Sequence, residues 1–185
     1  MLTQRCLKSI ERNTANRYQL IVIDNGSPLR MNWRADIYCR FKENMGVAYA
    51  WNTGIIFAKG EYVALVNNDL EVPKDWDKTL IDKDSQGVGV IKSNEGWSCA
   101  VVPKRVFENI GLFDERYFAY FEDIDFEDRL KKEGLNLIQT DLKCSHAKHA
   151  TGSLLPRANQ IYNESERKYR EKFGYSPLDK AVKVF

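Results

Sequence analysis

A chain of 185 residues with 43% hydrophobic and 29% charged residues has the size and balance of one soluble globular domain, which excludes a disordered or membrane-embedded chain. Its 28 Lys and Arg against 26 Asp and Glu leave a net charge of +2 without long single-sign blocks, so nucleic acid is not indicated as a partner. The N-terminal MLTQRCLKSIERNT is too charged for a signal peptide, no apolar run reaches membrane-spanning length, and Cys6, Cys39, Cys99 and Cys144 form no C-x-x-C pair, so a cytoplasmic protein with free thiols is expected.

Leu2 to Asn13 reads as a helix, with Cys6, Leu7 and Ile10 sharing a face, and it stops at the turn-prone Asn13-Thr14-Ala15-Asn16. Leu20 to Ile23 is a short apolar run that reads as a strand buried on both faces, ending in Asp24-Asn25-Gly26-Ser27-Pro28. A second strand is expected over Ile37 to Phe41, then a helix over Val47 to Ala58 closed by Gly60. Tyr62 to Val66 reads as another buried strand, stopping at Asn67-Asn68-Asp69. Strand, helix and strand in this order form a crossover unit, which predicts an α/β fold with a mostly parallel sheet.

Pro73 to Ile81 reads as a helix, Val88 to Ile91 and Trp97 to Val102 as strands, and Val106 to Ile110 as a short helix. The aromatic segment Tyr117 to Phe121 runs into Glu122-Asp123-Ile124-Asp125 and a helix that ends before Gly134. Leu135 to Leu142 is a late strand leading to His146 and His149, and the final amphipathic helix covers about 156–173. One domain over residues 1–185 accounts for the whole pattern.

Ligands of open α/β sheets bind beyond the carboxyl ends of the strands, where Asp24 and Asp69 fall. Asp and Asn are also ordinary turn residues, and both accounts stand for Asp24-Asn25-Gly26. Asn67-Asn68-Asp69 directly follows a fully apolar strand, and a hard divalent cation with a diphosphate prefers such oxygen ligands. Glu122, Asp123 and Asp125 suit the first turn of a helix through its dipole, but the four aromatic residues before them would strip hydration from a carboxylate and raise its basicity. Complete burial moves a carboxylate by as much as ~3–5 pH units whereas the dipole is worth ~1 kcal/mol, so burial should win. The spacing of His146 and His149 brings at least one of them near a strand end. Trp51 reads as core, and Trp97 between Gly96 and Ser98 reads as a binding platform. Arg157, Arg167, Lys168 and Arg170 read mainly as a solvated helix face.

Taken in order, CLKSI, LIVIDNGSP, ENMGVAYAWNTGI, AKGEYVALVNNDLEVP, GLFDERYFAYFEDIDFEDRLKKEG and the histidine region resemble the inverting family-2 glycosyltransferases of GT-A fold over nearly the whole chain. The resemblance implies a Rossmann-like domain that moves a sugar from a nucleotide-sugar donor to a glycan or other acceptor hydroxyl, with Mn²⁺ or Mg²⁺ as cofactor. It places Asp24, Asn25, Asn52, Asn67, Asn68 and Trp97 on the donor, and Asp69 as the metal ligand closing the Asn-Asn-Asp form of the DXD motif. Asp123 becomes the general base, with Glu122 beside it. A histidine beyond the late strand completes the metal site; the register favours His146, and His149 ahead of Thr151-Gly152-Ser153 also satisfies the pattern.

Members of this family begin with an apolar strand and a Pro-x-Tyr-Asn type loop, whereas this sequence starts at the following helix. Truncation or replacement of that strand is the expectation, with Ala181 to Phe185 or pairing with a second copy compensating. A non-catalytic module that still holds a nucleotide or glycan is the alternative function. A metal-dependent nucleotidyltransferase or hydrolase would leave the aromatic segment without a purpose.

Overall fold

The computed structural model describes residues 2–85, 87–146 and 157–180. Helix α1 (Leu2–Asn13) buries Cys6, Ser9 and Ile10. It packs on the short strand β4 (Leu70–Glu71), where the Ser9 hydroxyl accepts the Val72 N–H at 3.0 Å. Strands β1 (Ile21–Asp24) and β2 (Ile37–Arg40) pair in parallel, with Ile21 opposite Ile37, and α2 (Val47–Phe57) covers β1.

Among the described residues the main sheet has four strands: β3 (Tyr62–Val66), β5 (Val88–Ser93), β6 (Gly96–Pro103) and β7 (Asn136–Gln139), in the order β3-β6-β5-β7. β6 is antiparallel to both of its neighbours, and only the β5–β7 pair is parallel. The sheet is therefore mixed where the sequence pattern suggested a mostly parallel one. Only Asn94 and Glu95 separate β5 from β6, and so short a link can join antiparallel strands but cannot carry a crossover.

Alternation along β6 builds two cores. Ala100 and Val102 point to one, shared with Ala48 and Ile55 of α2 and with α4 (Lys104–Ile110) and α5 (Glu122–Lys132). Cys99 and Val101 point to the other, shared with Cys6 and Ile10 of α1 and Trp76 and Leu80 of α3 (Trp76–Ile81). The result is a three-layer α/β/α arrangement. A third cluster packs Tyr162, Tyr169 and Phe173 of α6 (Ala158–Phe173) against Tyr117, Tyr120 and Phe121.

Two strands are less enclosed than their apolar sequence implies. Ile21, Val22 and Ile23 are only half-buried, and among the described residues β1 has a single hydrogen-bonded neighbour, β2. Among the described residues β3 lies at the edge of the main sheet, and Ala64 is exposed. The late strand expected over Leu135 to Leu142 is shorter, Asn136–Gln139, and after residues 140–144 the short strand β8 (Ser145–His146) pairs with β4.

Candidate active site

β3 ends at Val66, and the chain turns through Asn67, Asn68 and Asp69 into β4. The Asn67 N–H donates to the Ser98 carbonyl at 2.9 Å and its amide donates to the Ser98 hydroxyl at 3.1 Å, so this turn is fastened to β6. Asn68 is exposed and its amide reaches the Thr3 hydroxyl at 3.0 Å. Asp69 is 6% exposed. The antiparallel β4–β8 ladder sets Leu70 opposite His146, and this register brings the His146 ring to Asp69 across 77 residues of sequence, with Nε2 at 3.2 Å from Oδ1. Glu95, in the β5–β6 turn, approaches the other ring nitrogen, with Oε2 at 3.0 Å from Nδ1. An open cleft of about 90 Å³ lies against the pair, bounded also by Arg5, Glu71 and Ser145.

A carboxylate oxygen and an imidazole nitrogen are both groups that a divalent cation accepts as ligands. Among the described residues no group of three His, Cys, Asp or Glu side chains is arranged to hold a metal. One carboxylate and one imidazole facing a cleft instead match sites that leave most positions to diphosphate oxygens and water. His149 lies outside the described residues.

Asp24 closes β1 and is 6% exposed. Its Oδ1 accepts the Ser27 N–H at 2.9 Å, and its Oδ2 accepts the Tyr38 hydroxyl at 2.8 Å and meets Arg40 Nε at 3.1 Å. Burial pushes its pKa up, but the Ser27 and Tyr38 hydrogen bonds and the Arg40 charge outweigh burial and hold it below the usual carboxylate range. Asn25 donates to the Asn44 side chain and to the Gly46 carbonyl, both at 3.0 Å, and accepts the Met45 N–H at 2.8 Å. Gly26, at φ +80°, packs so closely that a Cβ there would lie 2.3 Å from the Glu43 carbonyl carbon. The Asp24 loop is thus bound to the loop before α2. That second loop is bound in turn to the aromatic segment, because the Val47 N–H donates to the Phe118 carbonyl at 2.8 Å.

Tyr120 and Phe121 both take left-handed backbone conformations, φ +67° and +69°, immediately before α5. Non-glycine residues hold such angles only where their surroundings fix them. Here Tyr162 packs on both rings and the Ser165 hydroxyl donates to the Ala119 carbonyl at 2.8 Å. The turn delivers Glu122 into a pocket where it is 7% exposed and Oε2 has no hydrogen-bond partner among the described residues. Burial, with Asp123 next to it, pushes its pKa up to about 8. Asp123 is also raised, by burial first, against the opposing hydrogen bond from the Ile124 N–H at 2.8 Å. For both carboxyls burial outweighs the backbone hydrogen bonds that favour the charged form. Asp125 is fully buried and neutralised by Arg129 at 2.8 Å and Lys172 at 2.5 Å, so it ties α5 to α6.

Two residues placed on the donor by sequence belong to the framework. Asn52 is 2% exposed; its amide donates to the Phe113 carbonyl at 2.9 Å and to Glu115 at 2.8 Å, and its oxygen accepts the Phe113 N–H at 3.0 Å. Every polar group of Asn52 is spent on that clasp. Trp97 is 7% exposed and sits among Trp51, Phe113 and Phe126, with its indole N–H donated to Glu127 at 2.8 Å. A tryptophan walled in by three aromatic rings is core and offers no open platform. The basic residues of α6 are mostly paired on the surface, Arg167 with Glu171 and Arg170 with Glu166 and Asp179. Sequence reasoning missed Glu95 and the buried Lys92–Glu127 ion pair of 2.8 Å, because an acidic turn residue and a strand lysine carry no pattern of their own.

A profile of the family described as "Glycosyl transferase family 2" matches residues 2–128. The N-acetylglucosaminyl-diphospho-decaprenol L-rhamnosyltransferase of Mycobacterium tuberculosis is 45% identical over 62 residues, 31% of this chain and 20% of the relative. The low-salt glycan biosynthesis hexosyltransferase Agl10 of Haloferax volcanii is 40% identical over 42 residues, 23% of this chain and 14% of the relative. Among solved structures, the mannosyltransferase PcManGT from Pyrobaculum calidifontis in complex with GDP-Man and Mn²⁺ aligns with a TM-score of 0.67 at 17% identity, over 96% of this chain and 62% of that one. S. aureus TarS 1-349 aligns with a TM-score of 0.61 at 14% identity, over 100% of this chain and 72% of that one. The matched region thus spans a fifth or less of the two curated relatives' lengths.

Proposed function

The chain belongs to glycosyl transferase family 2 and has a GT-A fold, and on that premise we propose that it transfers a sugar from a nucleotide-sugar donor to an acceptor hydroxyl, with inversion, as one domain over residues 1–185. The observation that carries this reading is the meeting of Asp69 and His146 at 3.2 Å beside an open cleft, each delivered by one strand of the β4–β8 ladder. GDP-Man and Mn²⁺ in the solved mannosyltransferase support the donor class and the cation. Mn²⁺ or Mg²⁺, held by Asp69 and His146, would supply charge neutralisation for the leaving diphosphate. Among the described residues no helix is long and apolar enough to cross a membrane.

The acceptor hydroxyl must lose its proton as it attacks the anomeric carbon. Two adjacent carboxylates are available, and their surroundings separate them. Glu122, ionising only around pH 8, is protonated near neutrality and cannot take a proton there. Asp123, raised by burial, keeps the Ile124 N–H as a partner for its charge, and this supports assigning it as the base. Asp24 and Asn25 are assigned to the loop that would meet the nucleotide, and Asn67 and Asn68 to the turn that leads into Asp69.

Asp123→Asn is expected to keep the fold and nucleoside diphosphate affinity while lowering transfer by about 10²–10⁴. The assay is a panel of nucleotide-sugars with Mn²⁺, scored for transfer and for slow donor hydrolysis. A variant with substantial activity would remove Asp123 as the base. Donor binding without turnover in the parent would instead identify a non-catalytic binding module.

A further inference from the structure

The structure assigns to Glu95 the task of holding His146 with Nδ1 turned away from the cleft and Nε2 presented beside Asp69. The inference rests on the metal reading of the Asp69–His146 pair, and it concerns a residue that takes no part in that pair.

Glu95 is well placed for this because it is itself held. Its Oε1 accepts the Asn94 amide at 2.9 Å, which leaves Oε2 to meet His146 Nδ1 at 3.0 Å. Asn94 also captures the backbone that carries the histidine: its N–H donates to the Leu142 carbonyl at 3.0 Å, and its side-chain oxygen accepts the Cys144 N–H at 2.9 Å. The two-residue turn between β5 and β6 therefore grips both the segment before His146 and its ring. The carboxylate and ring are largely enclosed, with side-chain exposures of 13% and 16%, so water competes weakly for Nδ1.

An imidazole has one ring plane and two nitrogens, and an acceptor on one nitrogen fixes what the other can do. Both ring nitrogens face carboxylates, Nδ1 that of Glu95 and Nε2 that of Asp69, and a carboxylate accepts and cannot donate, so each contact favours a proton on the nitrogen it meets. A cation bound between Nε2 and Asp69 would take the Nε2 lone pair and leave the ring proton on Nδ1, where Glu95 accepts it. A carboxylate on the far nitrogen also raises the donor strength of a ligating histidine, and losing such a partner costs typically 10–100-fold in metal affinity. Glu95 is thus a positioning residue.

The test uses the full chain with Mn²⁺ and a nucleoside diphosphate in calorimetry, together with nitrogen-correlated proton spectra of the histidine rings. The chain has two histidines, so His149→Gln isolates the His146 signals. The parent is expected to show a ring proton on Nδ1 of His146. Glu95→Ala should lose that signal and weaken the Mn²⁺-dependent increment in affinity by about 10–100-fold. Glu95→Gln keeps a carbonyl acceptor and should retain the Nδ1 proton with a smaller loss, which also covers the case of a poorly folded Ala variant. A parent ring protonated only on Nε2, or a Glu95→Ala variant whose Mn²⁺ response matches the parent, overturns the assignment. If Asp69→Ala is equally without effect on the Mn²⁺ response, the metal reading itself has failed, and the Nδ1 signal separates that failure from a failure of Glu95 to hold the ring.

Discussion

Replacing Glu122 with glutamine should stabilise the protein, by an amount that grows with pH. The unfolded side chain ionises around its ordinary value of 4.5 and the folded one around 8. Between these values the native protein keeps a proton that the unfolded chain has already released. Stability contributed by a raised pKa is fully present below the unfolded value and is lost as pH climbs to the folded one. Each pH unit inside the window costs about 1.4 kcal/mol, so the penalty is about 3 kcal/mol near pH 7 and levels at about 5 kcal/mol above pH 8. Glutamine copies the neutral acid in size and polarity and has no charged form. Urea titrations of parent and Glu122→Gln should therefore differ by less than about 1 kcal/mol near pH 5 and by about 3 kcal/mol near pH 7. For a chain of this size the latter corresponds to a rise in Tm of roughly 6–12 °C. A stability difference that stays flat across this range would mean that Glu122 ionises normally in the native state, and the pocket around its unpartnered Oε2 would have to be hydrated or paired.

Asp69→Ala should abolish the extra affinity that Mn²⁺ confers on nucleoside diphosphate binding; equal responses in parent and variant would remove Asp69 as a ligand. Asn52→Ala should cost about 2–4 kcal/mol in chemical denaturation, because it strands the buried N–H and carbonyl of Phe113, and should leave nucleotide affinity unchanged. Lost affinity with full stability would return Asn52 to the donor site. Deleting residues 181–185, which lie outside the described residues, is expected to lower stability or solubility if that tail covers a strand edge, and an unchanged Tm would count against it.

Period and punctuation located most elements. Leu2–Asn13 and Tyr62–Val66 fall where apolar spacing put them, because an amphipathic helix and an apolar strand each write their own period. Strand direction was not written there. Val88 to Ile91 and Trp97 to Val102 read as two strands, and only the short Asn94-Glu95 link makes them a hairpin. The two-residue strands β4 and β8 escaped because no periodicity fits in two residues, yet their pairing is what carries His146 to Asp69. Trp97 and Asn52 misled for a related reason: an aromatic beside glycine and a polar residue inside a helix look available for ligands, while their partners Phe113, Glu115, Phe126 and Glu127 are remote in sequence.

The acidic residues that sequence could only nominate are sorted by what surrounds them. Asp24, Glu122 and Asp123 all lose water, so burial raises each of them and their neighbours decide the outcome. Asp24 faces a backbone N–H, a phenol and a guanidinium, three partners that favour charge, and it remains a permanent acceptor suited to ordering a loop. Glu122 has an unpartnered oxygen and an anionic neighbour, and it stays neutral near pH 7. Its neutrality matters to Asp123, since a second negative charge at the adjacent position would push Asp123 further toward protonation and remove the ionised base that the proposed reaction needs. On the proposed reading, a neutral Glu122 would leave Asp123 the carboxyl of the pair that takes the proton. Glu122→Gln, which fixes the neutral member permanently, should then retain most of the activity that Asp123→Asn loses, and a Glu122→Gln variant as inactive as Asp123→Asn would show that Glu122 has a role its neutral isostere cannot fill.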